Sequence, residues 1–171
     1  GLKNNYGQKH YFADNDITAT RYGIFWYFNA GAAQMRAFEN TIFVSGSNVD
    51  GISINENTYG KAYYEIEYNT IKVGNNGSVQ GGNVNGISAN NVYAPKISCN
   101  HVELLTNHND PKYTAIQLNT CNTATVTNNT VRSHHANNNF YSLGIETNIS
   151  DNCQITCNNV DSTNYGIYFG G

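Results

Sequence analysis

The stretch GISANNVYAPKISCNHV, residues 86–102, returns as AIQLNTCNTATVTNNTV at residues 115–131 and as GIETNISDNCQITCNNV at residues 144–160. The three copies start 29 residues apart, and each opens with a small residue and Ile and closes with Asn-x-Val. A fixed period of this length is the sequence signature of a solenoid, in which each repeat is one structural unit stacked on the next.

Both ends of the repeat can be followed through most of the chain. The Asn residues of the Asn-x-Ile or Asn-x-Val series are Asn15, Asn40, Asn69, Asn100, Asn129 and Asn158. The Ile residues of the small-residue-Ile series are Ile24, Ile52, Ile87, Ile116, Ile145 and Ile167. A second Asn follows this Ile in four successive copies, at Asn55, Asn90, Asn119 and Asn148. Because the series share one period, we expect their members to stack in columns.

Within each repeat, apolar and polar residues alternate over three short stretches, which predicts three short strands. No segment carries the i, i+3, i+4, i+7 apolar pattern of a helix. We therefore predict an all-β protein, a right-handed parallel β-helix of about five rungs with three strands per rung. Asn tolerates the left-handed conformation of a sharp corner, and stacked amides hydrogen-bond to each other, so we also predict Asn ladders at the turns.

The composition excludes two classes of partner. Only 12% of the 171 residues are charged, the net charge is −3, and the nine basic residues are scattered singly. Nothing in this distribution would neutralise the phosphates of a nucleic acid. No apolar run approaches the roughly 20 residues of a membrane-spanning helix.

We interpret residues 1–171 as a single β-helix domain and as a segment of a longer β-helical protein, because the last rung stops midway and flanking rungs would cover its open edge. Long loops are predicted at residues 74–85, 103–114 and 132–143, stacked side by side over the central rungs. Function concentrates in loops that a rigid scaffold holds.

The repeat resembles those of the pectate-lyase-like superfamily of right-handed parallel β-helices, in which small-residue-Ile and Asn-x-Ile segments recur with Asn at a turn. The resemblance covers residues 12–169. It implies a secreted or cell-surface protein of the bacterial or phage type. That fold carries lyases, hydrolases, tailspikes, adhesins and inert stalks, so the resemblance leaves the function open.

One outward column of the small-residue-Ile strand is predicted to form a shallow polar strip with an aromatic residue at each end: Phe25, Ser53, Ser88, Gln117, Glu146 and Tyr168. Such a strip suits a neutral or weakly charged glycan, whose hydroxyls need amides and carboxylates and whose faces stack on rings. The candidate ligand-binding residues are Gln117, Glu146, Tyr168, His108, Asp110, Lys112, His134 and His135. The aromatic stretch from Phe25 to Phe28 is a rival site, although we expect its rings to cover the open end of the core.

Catalysis has little support in the sequence. A glycosidase needs two carboxylates beside one bond, and the only candidates are Glu146 and Asp110. The Asp-Asp, Gly-His-Gly and Arg-Ile-Lys signatures of polygalacturonase-like enzymes are absent. We therefore favour a non-catalytic stalk or adhesin that binds glycans. The alternative is a carbohydrate-active enzyme, either a polysaccharide lyase or a glycoside hydrolase, including the phage tailspike type.

No cofactor or metal is predicted. Calcium would need clustered acids, and Cys99, Cys121, Cys153 and Cys157 lack the spacing of a zinc site. We expect most of these cysteines to be free thiols that face the core. The residues that directly follow Asn-x-Ile or Asn-x-Val in four successive copies are Lys72, Glu103, Arg132 and Asp161. Their charges alternate in sign, which predicts an outward ladder of ion pairs.

Overall fold

The computed structural model describes residues 1–4, 9–28, 34–56, 63–74, 82–105, 112–134 and 142–170. The strands are, in chain order, β1 (Leu2–Asn4), β2 (Lys9–Ala13), β3 (Asp16–Ala19), β4 (Tyr22–Phe28), β5 (Gln34–Phe38), β6 (Thr41–Ser45), β7 (Val49–Glu56), β8 (Tyr63–Glu67), β9 (Thr70–Gly74), β10 (Asn83–Asn90), β11 (Lys96–Ser98), β12 (His101–Leu105), β13 (Lys112–Asn119), β14 (Thr125–Thr127), β15 (Thr130–Ser133), β16 (Ser142–Asn148), β17 (Gln154–Thr156), β18 (Asn159–Asp161) and β19 (Tyr165–Gly170). Every regular element in this part of the chain is a strand.

The chain coils through three parallel sheets, and every third strand returns to the same sheet. Sheet A has the order β1-β4-β7-β10-β13-β16-β19, sheet B β2-β5-β8-β11-β14-β17, and sheet C β3-β6-β9-β12-β15-β18. Ile87 pairs with Ile52 on one side and with Ile116 on the other, so the repeat series coincides with the strand register. The all-β parallel β-helix is therefore confirmed, and six or seven strands per sheet are close to the predicted number of about five rungs.

The core consists of Ile and Val columns that the three sheets turn inward. Ile87, Ile97 and Val102, one from each sheet of the same turn, are all fully buried. A Cβ placed on Gly86 would collide with the Val102 side chain, and the same holds for Gly51 against Ile71. The small residue before the Ile of sheet A is thus explained by the close approach of that backbone to sheet C.

The first Asn column forms a buried hydrogen-bonded ladder. Asn100 Nδ2 lies 2.8 Å from the backbone oxygen of Ile66, 3.0 Å from that of Ser98 and 3.0 Å from Asn129 Oδ1. Asn100 and Asn129 are each 1% exposed. The predicted stacking of this column is confirmed.

The prediction that the ladder Asn residues themselves take the left-handed conformation of the corner is wrong. The residue before each ladder Asn, not the Asn itself, adopts the left-handed conformation, with φ between 53° and 58°: Asp14, Glu39, Tyr68, Cys99, Asn128 and Cys157. The Asn stabilises the corner from outside it, because its side chain donates to the backbone oxygen two residues earlier, as Asn69 does to Glu67. This is why the corner position accepts residues as different as Tyr and Cys.

The second Asn column also stacks as predicted. Asn119 Nδ2 donates to Asn90 Oδ1 over 2.8 Å, and Asn148 Nδ2 donates to Asn119 Oδ1 over 2.9 Å. Asn55 pairs with Asn90 in the strand register. These side chains are half-buried, on the outer side of sheet A.

The four cysteines are free thiols, as predicted. Cys121 is buried in the core and Cys153 packs against it. Cys99 and Cys157 do not face the core, because they occupy the left-handed corner before the ladder Asn, where Cys157 is exposed. The prediction of core-facing thiols thus holds for two of the four.

Candidate ligand-binding face

The predicted strip on sheet A has the expected register. Successive pairs connect Phe25, Ser53, Ser88, Gln117, Glu146 and Tyr168 across six strands. The centre of the strip is not shallow and open, however, because Gln117 is 9% exposed and Glu146 only 2%. Its polar groups lie on the outer side of the sheet and are nevertheless largely removed from solvent.

Glu146 is the centre of a polar network. Lys112 Nζ lies 2.5 Å from Glu146 Oε1, and Gln117 Nε2 donates to Glu146 Oε2 over 2.8 Å. Burial raises the pKa of Glu146, but hydrogen bonds from Lys112, Gln117 and Asn148 outweigh it and hold the pKa below its usual value. The carboxylate is therefore ionised at neutral pH and neutralised by Lys112.

A second, half-buried acid lies further along the same face. Asp50 Oδ1 accepts a hydrogen bond of 2.8 Å from Asn85 Nδ2. Burial raises the pKa of Asp50, and the hydrogen bonds from Asn85 and Ser53 only partly oppose this effect. Asp50 on β7 and Glu146 on β16 are three strands apart, about 14 Å. This separation exceeds that of a glycosidase carboxylate pair, which is about 5 to 9.5 Å.

Aromatic rings border both ends of the strip. At the first end, the Phe25 and Tyr27 rings are parallel with centroids 6.5 Å apart, and the Tyr22 ring lies 4.7 Å from that of Phe25. At the other end, the centroids of Tyr165 and Tyr168 are 6.1 Å apart.

Within the aromatic stretch from Phe25 to Phe28, the ring of Trp26 lies in a different place from the rings of Phe25 and Tyr27. Trp26 is buried in the core, where its ring contacts those of His10 and Phe12. The expectation that the rings of this stretch cover the end of the core is thus met by Trp26 and not by Phe25 or Tyr27, and the side chain of Phe28 lies outside the described part of the structure.

The candidate residues from the long loops do not form one group. Lys112 contacts Glu146, whereas His134 lies on the sheet C side, with its Nε2 atom 3.6 Å from Glu103 Oε2. His108, Asp110 and His135 lie outside the described residues, as does at least half of each loop at 74–85, 103–114 and 132–143.

The charged column on sheet C is adjacent and outward as predicted. Lys72 pairs with Glu103 over 3.1 Å, and Arg132 lies 3.9 Å from Asp161. His101 Nε2 also lies 2.8 Å from Glu103 Oε1. The hydrogen bonds from His101 and Lys72 lower the pKa of Glu103 despite its partial burial.

Sequence reasoning missed a charged cluster on the outer face of sheet B. Arg36, Glu65 and Lys96 are neighbours in the strand register, and Glu67 lies two residues after Glu65. The alternation of Tyr63, Glu65 and Glu67 around the buried Tyr64 and Ile66 was the available signal. It indicates three outward polar groups on one strand.

Two wider observations apply to the part of the chain that the structure describes. No group of three His, Cys, Asp or Glu side chains is arranged to hold a metal ion there. Its residues form no helix that could cross a membrane. A cleft of about 450 Å³ between Leu2 and Arg21 lies at the first turn, away from Glu146.

The comparisons with known proteins found no relative. No protein-family model matches the chain, and no curated protein or solved structure is significantly similar to it. The parallel β-solenoid fold is confirmed, and the resemblance to the pectate-lyase-like superfamily stays a prediction.

Proposed function

We propose that the chain is a non-catalytic β-helical module of a secreted or cell-surface protein, serving as a rigid stalk or adhesin. One observation carries this proposal. Each ladder Asn is hydrogen-bonded to the next without interruption from Asn15 to Asn158, with Nδ2 to Oδ1 distances of 2.8 to 3.0 Å. A buried amide column that ties every turn to its neighbours favours a stiff rod.

The environment of Glu146 supports the non-catalytic part of the proposal. A general acid needs a pKa raised towards neutrality, whereas Lys112 and Gln117 hold the pKa of Glu146 down. Both oxygens of its carboxylate are engaged. An ionised, paired carboxylate is suited to fixing the outer face of sheet A rather than to proton transfer.

We propose a neutral or weakly charged glycan as the ligand, lying across the strip from Phe25 to Tyr168. The Glu146 carboxylate would accept hydrogen bonds from sugar hydroxyls, the Gln117 amide would donate or accept them, and Tyr168 would stack against a sugar face. The loop residues His108, Asp110, Lys112, His134 and His135 belong to this proposal. Since Gln117 and Glu146 are buried, the ligand would first meet the aromatic ends.

A glycan array tests the ligand. We expect binding that weakens in Tyr168→Ala and Glu146→Ala, whereas Tyr93→Ala, an exposed ring elsewhere on the surface, serves as the control. His134→Ala tests the loop side, and retention of binding in that variant would remove His134 from the site. Unchanged binding in Tyr168→Ala and Glu146→Ala would remove the strip.

Incubation with a panel of polysaccharides tests the absence of catalysis. We expect no new reducing ends and no unsaturated products. Release that disappears in Glu146→Gln would contradict the proposal and favour a glycoside hydrolase or polysaccharide lyase. The pectate-lyase-like affiliation, which the six-copy motif series supports, and the bacterial or phage source are part of the same proposal.

A further inference from the structure

The outer face of sheet B carries a cluster that the proposed function does not use. Tyr11, Arg36, Glu65 and Lys96 occupy one outward column on four successive strands. Tyr63 precedes Glu65 by two residues and shares its outward side. We name Tyr11, Arg36, Tyr63 and Lys96 the tyrosine-cation face.

The cations of this cluster lie outward and the carboxylates lie beneath them. Arg36 Nε is 2.5 Å from Glu65 Oε2, and Lys96 Nζ is 2.6 Å from Glu67 Oε1. The side chains of Arg36 and Lys96 are 36% and 42% exposed, whereas those of both glutamates are 12% exposed. Solvent and ligands therefore meet the guanidinium and ammonium groups first.

These cations are held in place and retain donors. A guanidinium carries five N–H donors, and among the contacts of the described residues the Arg36 guanidinium forms ion pairs through Nε with Glu65 and, at 3.9 Å, through Nη2 with Glu67, without a hydrogen bond from Nε. The guanidinium carbon of Arg36 also lies 5.3 Å from the centroid of the Phe38 ring, on the same side of β5. Such preorganised donors recognise carboxylate and sulfate groups well, because little side-chain entropy is lost on binding.

Exposed rings stand beside the cations. Tyr11 is 55% exposed and Tyr63 is 46% exposed. The hydroxyl of Tyr63 donates to Glu65 Oε1 over 2.5 Å, which fixes its ring next to the ion pairs. Rings in this position offer stacking surfaces for the apolar faces of sugars.

The strand pairing argues against a peptide. β5 and β8 are each hydrogen-bonded on both sides, so this part of sheet B has no open edge for an added strand. Arg36 and Lys96 are two strands apart, a spacing of about 9.6 Å. A ligand that engages both must extend over several units.

We propose that the tyrosine-cation face binds an anionic saccharide chain, with its carboxylate or sulfate groups on Arg36 and Lys96 and its sugar faces on Tyr11 and Tyr63. This site is separate from the strip on sheet A and does not depend on it. The two carboxylates beneath serve to position the cations.

Binding of dextran sulfate, carboxymethyl dextran and unmodified dextran of matched length tests the proposal. We expect an anionic dextran to bind more tightly than the unmodified polymer, and its affinity to fall with added salt. The two anionic polymers distinguish sulfate from carboxylate. Failure of both anionic polymers to bind would overturn the proposal, and so would binding of unmodified dextran that Lys96→Gln weakens as much as it weakens binding of the anionic polymers.

Matched variants localise the site. Lys96→Gln should weaken binding about tenfold, a loss that corresponds to about 1.4 kcal/mol. Lys72→Gln is its control, because Lys72 is also paired with a glutamate and is 46% exposed, but lies on sheet C. An equal loss in the two variants would overturn the proposal.

A second pair of variants leaves the ion pairs intact. Tyr11→Ala should weaken binding, and Tyr93→Ala, which removes a ring of 45% exposure at another corner, should not. Thermal unfolding confirms that each variant is folded. If Lys96→Gln does not fold, the tyrosine pair still decides: unchanged binding in Tyr11→Ala would overturn the proposal.

Discussion

Asn129 Oδ1 accepts two hydrogen bonds from Asn100, one from the backbone nitrogen and one from the side-chain nitrogen, each over 3.0 Å. The same pair of hydrogen bonds recurs between Asn69 and Asn100. Each amide thus fixes both the side chain and the backbone of the preceding turn. The ladder stabilises the left-handed corner, because the corner residue immediately precedes the ladder Asn in every turn.

Replacement of Asn100 by Ala should lower the free energy of unfolding by about 1 to 3 kcal/mol, because buried backbone groups lose their partners. Urea denaturation measures the change. Asn119→Ala is the matched control from the half-buried ladder and should lie at the low end of this range. An equal or smaller loss for Asn100→Ala would contradict a structural role for the buried ladder.

Glu146→Gln should destabilise the protein more than Glu103→Gln. The side chain of Glu146 is 3% exposed and that of Glu103 is 17% exposed, and each is paired with a lysine. Removing one partner of a buried pair leaves the other charge uncompensated, so we expect a loss of about 2 to 4 kcal/mol for Glu146→Gln. For Glu103→Gln, on the more exposed column of sheet C, we expect the free energy of unfolding to fall by about 1 kcal/mol or less. A loss above about 2 kcal/mol for Glu103→Gln would indicate stronger coupling than its geometry suggests.

The stability of the protein should fall in acid. Partners hold the pKa values of Glu67, Glu103 and Glu146 below their usual range. Their contribution is fully present above the unfolded pKa of about 4.3 and is lost as the pH falls through the lower folded values. The urea denaturation midpoint is measured about every half pH unit between pH 6 and pH 3. As the pH falls, the midpoint should decline less steeply in Glu103→Gln than in the unchanged protein. Equal slopes of midpoint against pH for the two proteins would contradict the lowered pKa of Glu103.

Ile149→Asn should stabilise the protein. Ile149 is β-branched, has φ 47° and is 72% exposed, so it carries the strain of the left-handed conformation with little compensating burial. Left-handed backbone costs roughly 1 to 2 kcal/mol for an ordinary residue, and Asn tolerates it better. We expect a gain of about 1 kcal/mol and a higher melting temperature. Ile149→Val keeps the branched side chain and should bring no gain.

Thiol labelling of the folded protein should separate the cysteines. Burial raises the pKa of Cys121 to about 12, so almost no thiolate is present near neutrality. Cys157 is exposed and should react with iodoacetamide first. Peptide mass spectrometry at a series of times measures the order, and all four sites should react in denaturant. Early labelling of Cys121 in the folded state would contradict its burial.

The sequence by itself determined the fold and its register. The periods that link Asn69, Asn100 and Asn129, and Ile87 with Ile116, predicted which residues stack, because a solenoid places equivalent residues of successive repeats on neighbouring strands. The same repeat spacing predicted the ion-pair column through Glu103. Such columns are local to the repeat, so spacing alone fixes them.

Only the tertiary structure decided the burial of Glu146, the position of the left-handed corner and the cluster around Arg36. Alternation within a strand predicts the side of the sheet and not the solvent exposure, because exposure depends on groups contributed by distant parts of the chain. The partners of Glu146 illustrate this point, since Lys112 lies 34 residues away. Arg36, Glu65 and Lys96 likewise come from three repeats of unequal length, and their meeting depends on how the intervening connections place each strand on sheet B.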